Sequence, residues 1–395
     1  MSGRAVAVMI ALGFAFGAAR PAAAQRPRDI PPEVQEIYRH YPVVELVTMG
    51  IGSLIWERHG HIALCVRYAD PNEDACYNYG IGDFHEPMKM ATGFFRGTNS
   101  FWVGKMDPDA MLSIYRRADR TIWVQPLPLT DEQEKKVIDK LEYDILDDHR
   151  YYAYDHFWDN CTTRVRGVLD DAVGGELKKM AMAQKSDGRT YRDLAREGFF
   201  GMRVPLIITD IAMGRVTDRE PSYWERMFLP DYLREAATRM WKIEPLVRYE
   251  RKGPPPLKTG PSGRIWFALL ILVLTSPAWI TRLLGKFQRA GLGVAVVPYV
   301  FLGIVFWFLA IISPLPYVES NESCLVLLPI DLMLVWFLKP EWRKLYARIR
   351  VGMIVLVAAL LTIGMLKQPI WPLLLWPLIP SLVVADFWPN LWPKK

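Results

Sequence analysis

Residues 157–171 read FWDNCTTRVRGVLDD. Val165, Val168, Leu169 and Ala172 recur at i, i+3, i+4 and i+7, the stripe of a helix packed on a core. Gly174 and Gly175 supply a stop. Cys161 precedes Val165 by four positions, so it falls on the same inward face, in the first turn. A thiol there meets the positive end of the helix dipole and its unpaired N–H groups. That setting lowers a cysteine's pKa and favours the thiolate. The pattern leaves two readings open: a nucleophile, or a small apolar residue in a core.

Outward from this helix the chain divides in two. Of 395 residues, 51% are apolar and only 23% charged, too apolar for one average soluble domain, and the excess sits beyond about residue 265. We expect a signal peptide over 1–24, ending Ala22-Ala23-Ala24 before Gln25. An exported globular domain follows over 25–252, then a Pro/Gly linker over 253–263 (GPPPLKTGPSG) and a membrane domain over 264–389. Five spans are predicted, at about 265–284, 291–312, 323–338, 351–366 and 370–388. The basic residues between them alternate: Arg282, Lys286 and Arg289 after the first, then Lys339, Arg343, Lys344, Arg348 and Arg350 after the third, and Lys394-Lys395 at the tail. By the positive-inside rule the globular domain lies outside and the C-terminus in the cytoplasm, as the signal peptide independently requires. The net charge of +6 is therefore a topology signal, and we expect no nucleic-acid partner. Asp331, inside the third span, is expected to face the bundle interior, pair with a neighbour or lie near an interface.

In the exported part, residues 56–68 (WERHGHIALCVRY) and 75–84 (ACYNYGIGDF) read as strands. Ile62, Leu64 and Val66 face the core, and His61 begins the opposite face. A hairpin with Cys65 opposite Cys76 or Asn78 keeps Asn78 on the face of His61, where it would orient the imidazole. Cys65 and Cys76 are candidates for a disulfide in an oxidising compartment. Residues 131–146 predict an amphipathic helix capped by Thr130. The aromatic-rich stretch 221–249 either lies on the membrane surface or packs on its own domain. A strand-leading histidine ahead of an Asn-Cys at a helix start predicts an α+β, papain-like arrangement with His and Cys in reversed chain order. In it His61 is general base and acid to the Cys161 nucleophile. His59-x-His61 with Asp155 and His156 has no third ligand at a recognisable spacing, so neither metal nor cofactor is expected. Asp83 and His85 read as loop residues.

The segments HGHIALCV (59–66), YNYGIGDF (77–84), YAYDHFWDNCTTRVRGVL (152–169), TYRDLARE (190–197) and SPLPYVESNES (313–323), in this order, resemble the bacterial lipoprotein N-acyltransferase Lnb family. His59 departs from the aromatic residue expected before Gly-His. The resemblance implies a permuted papain-like (NlpC/P60-like) domain outside the inner membrane, on about five transmembrane helices. It also implies transfer of the sn-2 acyl chain of a diacylated lipoprotein to the α-amine of its N-terminal cysteine through a thioester on Cys161. Diacylated lipoproteins and membrane lipids are then the partners. Tyr79, Tyr154, Trp158 and Arg164 are candidate substrate contacts, with ordinary packing or solvated helix positions as the alternative. Nothing in the residues separates transfer from hydrolysis by a membrane-anchored cysteine peptidase, amidase or thioesterase.

Overall fold

The alternation in HIALCVR sets the architecture. In the computed structural model, which describes residues 30–82, 92, 93, 96, 98, 100–257 and 259–387, seven strands form one antiparallel sheet. They are β1 (Val43–Met49), β2 (His61–Arg67), β3 (Ala75–Ile81), β4 (Ser100–Met106), β5 (Ile122–Pro126), β6 (Tyr151–Ala153) and β7 (Leu246–Tyr249), in the order β6-β4-β3-β2-β1-β5-β7. The expected signal peptide, Asp83 and His85 lie outside the described residues.

Both faces of the sheet are covered. Val44, Leu46, Ile62, Leu64 and Val66 pack on Val165, Val168 and Leu169 of the helix Cys161–Ala172 and on Val137 and Leu141 of the helix Asp131–Asp144. Val47, Met49, Ala63, Cys65 and Cys76 pack on Met111 and Leu112 of the helix Pro108–Arg117. A strand buried on both faces needs apolar residues at nearly every position, and all seven residues of β1 are buried. Cys65 stands directly opposite Cys76, and the two form a disulfide. This is the register that keeps Asn78 on the side of His61. The stretch 221–249 does not lie free for a membrane surface. Its helix Pro230–Trp241 buries Leu233, Ala236 and Ala237 in the first core.

Beyond the linker, the helices Arg264–Leu283, Gln288–Ile312 and Pro340–Thr362 are long and apolar enough to cross a membrane, and Trp371–Ala385 is a shorter apolar helix. The expected third span, 323–338, is not a continuous helix. It forms the short helix Ser323–Val326 and the 3-10 turn Pro329–Leu334. Pro329 supplies no N–H and disfavours helix at Leu328 before it, and Asp331 pulls its own partner. The Asp331 carboxylate takes Arg350 Nε at 2.9 Å and the Tyr346 hydroxyl at 2.6 Å, and Arg350 also donates to the Val326 carbonyl. Asp331 and Arg350 are both fully buried. Irregular backbone at membrane depth is tolerated only where protein covers it, which this pair and the buried Val326, Leu327, Leu334 and Val335 provide. The fourth expected span starts earlier than its apolar run, at Pro340. Arg343, Lys344, Arg348 and Arg350 therefore ride on the helix rather than in a loop.

The helical part docks on the globular part through polar contacts. The helix Arg203–Ala212 ends with its last carbonyls held by side chains from the far segment. Gln368 Nε2 donates to the carbonyls of Asp210 (2.9 Å) and Ile211 (3.1 Å), and Asn321 Nδ2 donates to Ile211 (3.0 Å). These are the groups a helix C-terminus leaves without partners. Arg264 adds an ion pair to the buried Asp210 at 2.8 Å.

Candidate active site

Asn160 starts the helix that carries Cys161. Its Oδ1 accepts from the amides of Thr162 and Thr163, both at 2.9 Å, and the Thr163 hydroxyl in turn accepts from the Asn160 backbone amide at 2.8 Å. Such a cap is worth about 1 kcal/mol. Asn160 Nδ2 is tied to the carbonyls of His156 and Phe228, so the cap also locks the loop ahead of the cysteine. As the first helical residue, Cys161 has no intrahelical acceptor for its own N–H, and that donor is left at the sulfur's position.

The helix start meets the sheet over Gly80. Gly80 has φ +81°, and a Cβ there would lie 3.3 Å from Cys161 Cβ and 3.5 Å from the Tyr152 hydroxyl, with the Tyr154 ring at 3.6 Å. Glycine is required both by the left-handed backbone and by this approach. The partly buried Cys161 sulfur is reached by the Ile62 amide, the residue next to His61, and lies 3.8 Å from the Thr162 hydroxyl. The structure thus brings the Cys161 helix to the start of β2.

His61 is held from behind. Asn78 Nδ2 donates to Met111 Sδ at 3.3 Å, so the atom facing the imidazole is Oδ1, 3.3 Å from His61 Nε2. Oδ1 can only accept. Nε2 therefore carries the proton and Nδ1 keeps its lone pair. The ring stacks on Tyr115 at 5.9 Å. Burial first, and the Arg120 guanidinium second, hold its pKa down at about 4. His59, the other histidine of the pair, is occupied elsewhere. Its Nε2 lies 2.8 Å from the Ala195 carbonyl, and its ring packs edge-on against His156 and Phe199.

The expected thiolate is not the resting form. Burial pushes the Cys161 thiol above its usual pKa, against the pull of the Thr162 hydroxyl, the Ile62 and Thr162 amides and Arg120. Desolvation outweighs the helix end here because the sulfur is packed against the sheet. The pair rests as thiol and neutral imidazole.

The proposed substrate contacts separate. Tyr154 borders the cysteine. Tyr79 is a core residue, fully buried, with its hydroxyl on Asp144 at 2.8 Å. Trp158 packs at a tilt on Tyr191 and on Tyr317 of the short helix Pro316–Glu319. Arg164 is clamped by Asp159 at 2.5 and 2.7 Å and lies over the Tyr152 ring at 4.2 Å, so it supports Tyr152. Tyr152 itself carries a buried hydroxyl with no partner among the described residues. Tyr115, Arg120 and Tyr152 as a group are invisible locally, since they come from three separate elements and share no motif.

Residues 33–197 match the family model described as the Lnb N-terminal periplasmic domain. The match spans 165 of the 395 residues, so it is this segment that is similar to the Lnb N-terminal periplasmic domain. No curated protein and no solved structure matches the chain. The matched segment begins in the first described helix, Pro32–Ile37, and ends with Glu197, so it contains His61, Asn78 and Cys161. The match points to a lipoprotein-modifying membrane protein with its N-terminal domain in the periplasm.

Proposed function

We propose that this chain is a thiol acyltransferase that moves the sn-2 acyl chain of a diacylated lipoprotein onto the α-amine of the lipoprotein's N-terminal cysteine. The observation that carries the reading is the approach of the Cys161 sulfur to the Ile62 amide, next to a histidine whose Nε2 is pinned by Asn78. The free Nδ1 takes the thiol proton as sulfur attacks the ester carbonyl. The bond to the glyceryl oxygen breaks, and that oxygen leaves with the proton from His61. The substrate amine, neutral, then attacks the thioester, with His61 as base, and restores the thiol. Because both groups start neutral, proton transfer accompanies attack rather than preceding it.

The oxyanion needs donors at the place where charge develops. The Cys161 N–H and the unpartnered Tyr152 hydroxyl are suited to that task. The Phe157–Tyr317 contact, at 5.2 Å between rings, packs the loop ahead of the nucleophile against the helical domain. A lipid-anchored ester needs a site at that height above the bilayer. We read the helical domain as crossing five times, the third pass being the irregular one, with the C-terminus in the cytoplasm. A papain-like ancestry in permuted order fits a helix-borne cysteine against a strand-borne histidine.

The test is mass spectrometry of lipoprotein N-termini after incubation with the full-length protein. Transfer predicts an N-acylated, S-monoacylglyceryl product and a hydroxylamine-sensitive acyl adduct on Cys161. Release of free fatty acid or a shortened peptide, with no N-acyl product, would make the protein a cysteine hydrolase instead.

A further inference from the structure

A second site lies at the opposite end of the helical domain. The helix Arg264–Leu283 starts on Asp210 of the periplasmic domain and runs about 30 Å before reaching Arg282. There, four helix ends border a partly open pocket of about 380 Å³, lined by Arg282, Arg289, Arg343 and Lys344 and walled by Leu292 and Val384. Four cations line it, and two of them share one acid. Asp386 takes Arg282 at 3.0 Å and Lys344 at 2.8 Å, leaving an excess of positive charge. Arg343 spends one guanidinium nitrogen on the Leu338 carbonyl at 3.0 Å, while its Nε is buried with no partner among the described residues. Arg289 is exposed at the cavity and has no acidic partner among them. Two of the helices, Gln288–Ile312 and Pro340–Thr362, begin here, so their first-turn amides add to the field, less the N–H that Pro340 lacks and against Glu341 in the same turn.

The charge calls for an anion, and the walls say which kind. An inorganic ion needs no apolar lining. This cavity has one, and around it Leu284, Phe287, Trp342 and Leu345 are exposed where acyl chains would lie. Basic pockets between transmembrane helices on the cytoplasmic side suit phospholipid headgroups. We propose that this cavity binds the phosphodiester headgroup of an anionic glycerophospholipid in the leaflet opposite the periplasmic domain. The site rests on the helical domain alone and is independent of the chemistry at Cys161.

The experiment uses the full-length protein in neutral detergent, with native mass spectrometry and thermal-shift titration. The probes are phosphatidylglycerol, phosphatidylethanolamine and inorganic phosphate. Phosphatidylglycerol is expected to remain bound and raise Tm, and phosphatidylethanolamine to do neither. Arg289→Gln with Arg343→Gln should weaken phosphatidylglycerol binding roughly 25-fold, about fivefold per base. Arg289→Gln alone, at an exposed position, gives a variant that leaves the core untouched and should lose about fivefold. Lys286→Gln, outside the cavity, should bind as the parent does. Equal binding of the two lipids, or undiminished phosphatidylglycerol binding in both Arg variants, overturns the proposal. An equal Tm rise with inorganic phosphate makes it a free-anion site and overturns the lipid assignment.

Discussion

His61 Nε2 and Asn78 Oδ1 stand 3.3 Å apart, with the Asn78 amide oriented from its other side by Met111. This contact decides which imidazole nitrogen is the base. Asn78→Ala frees the ring to rotate and to change tautomer. We expect kcat to fall about 10–100-fold, within the range of general-base effects, with KM little changed. Asn78→Asp places an anion beside the ring and raises the His61 pKa, so the acid limb of the rate profile should move up in pH. An unmoved limb would show that Asn78 does not touch the base.

Cys161→Ala should abolish N-acyl transfer, and Cys161→Ser should leave at most a trace. Circular dichroism and Tm of both should match the parent, because the cap that holds the helix start belongs to Asn160 and not to Cys161. Retained transfer in Cys161→Ala sinks the covalent mechanism.

Tyr152→Phe removes a buried hydroxyl that has no partner among the described residues. Its loss leaves nothing unsatisfied, so Tm should stay or rise slightly. If the hydroxyl serves the oxyanion, kcat drops about 10²-fold. Unchanged kcat would reduce Tyr152 to packing.

Acid should destabilise the protein before it protonates the site. Histidines in the unfolded chain titrate near pH 6.5, whereas burial holds His61 neutral to about 4 and His156 to about 3. Between those values the unfolded state binds more protons, so stability falls as pH is lowered through 6.5 and continues to fall to about 4. Each such histidine contributes up to about 1.4 kcal/mol per pH unit. Tm measured from pH 7.5 to 4.5 checks the sign. On the alkaline side, burial has raised the Cys161 thiol, so iodoacetamide should label the resting protein at pH 7 more slowly than a free thiol. Labelling should accelerate as pH rises past 9.

In the helical domain, removing one member of the Asp331–Arg350 pair leaves the other buried and uncompensated. Arg350→Leu should cost about 3–5 kcal/mol, read as a lower Tm in detergent. Adding Asp331→Leu to Arg350→Leu should recover much of the loss. Failure of the double variant to recover would assign the destabilisation to the Val326 carbonyl that Arg350 also holds.

Local patterning determined a good deal by itself. The period of Val165, Val168, Leu169 and Ala172 placed the Cys161 helix and its buried face. The alternation in HIALCVR placed His61 on the face opposite Ile62, and the Cys65–Cys76 register that the structure adopts puts Asn78 on the face of His61, because strand side chains repeat every two residues. Tertiary structure decided the rest. Whether a helix start makes a thiolate depends on the desolvation of the sulfur, and that comes from the sheet packed against it, not from the helix. Tyr79 and Tyr152 look alike in sequence. One is spent on Asp144 and the other has no partner among the described residues, a difference set by elements far apart in the chain. The third apolar run reads as a span because hydropathy averages over Pro329 and Asp331. Only packing against Arg350, nineteen residues on, allows it to leave the helix with Asp331 buried.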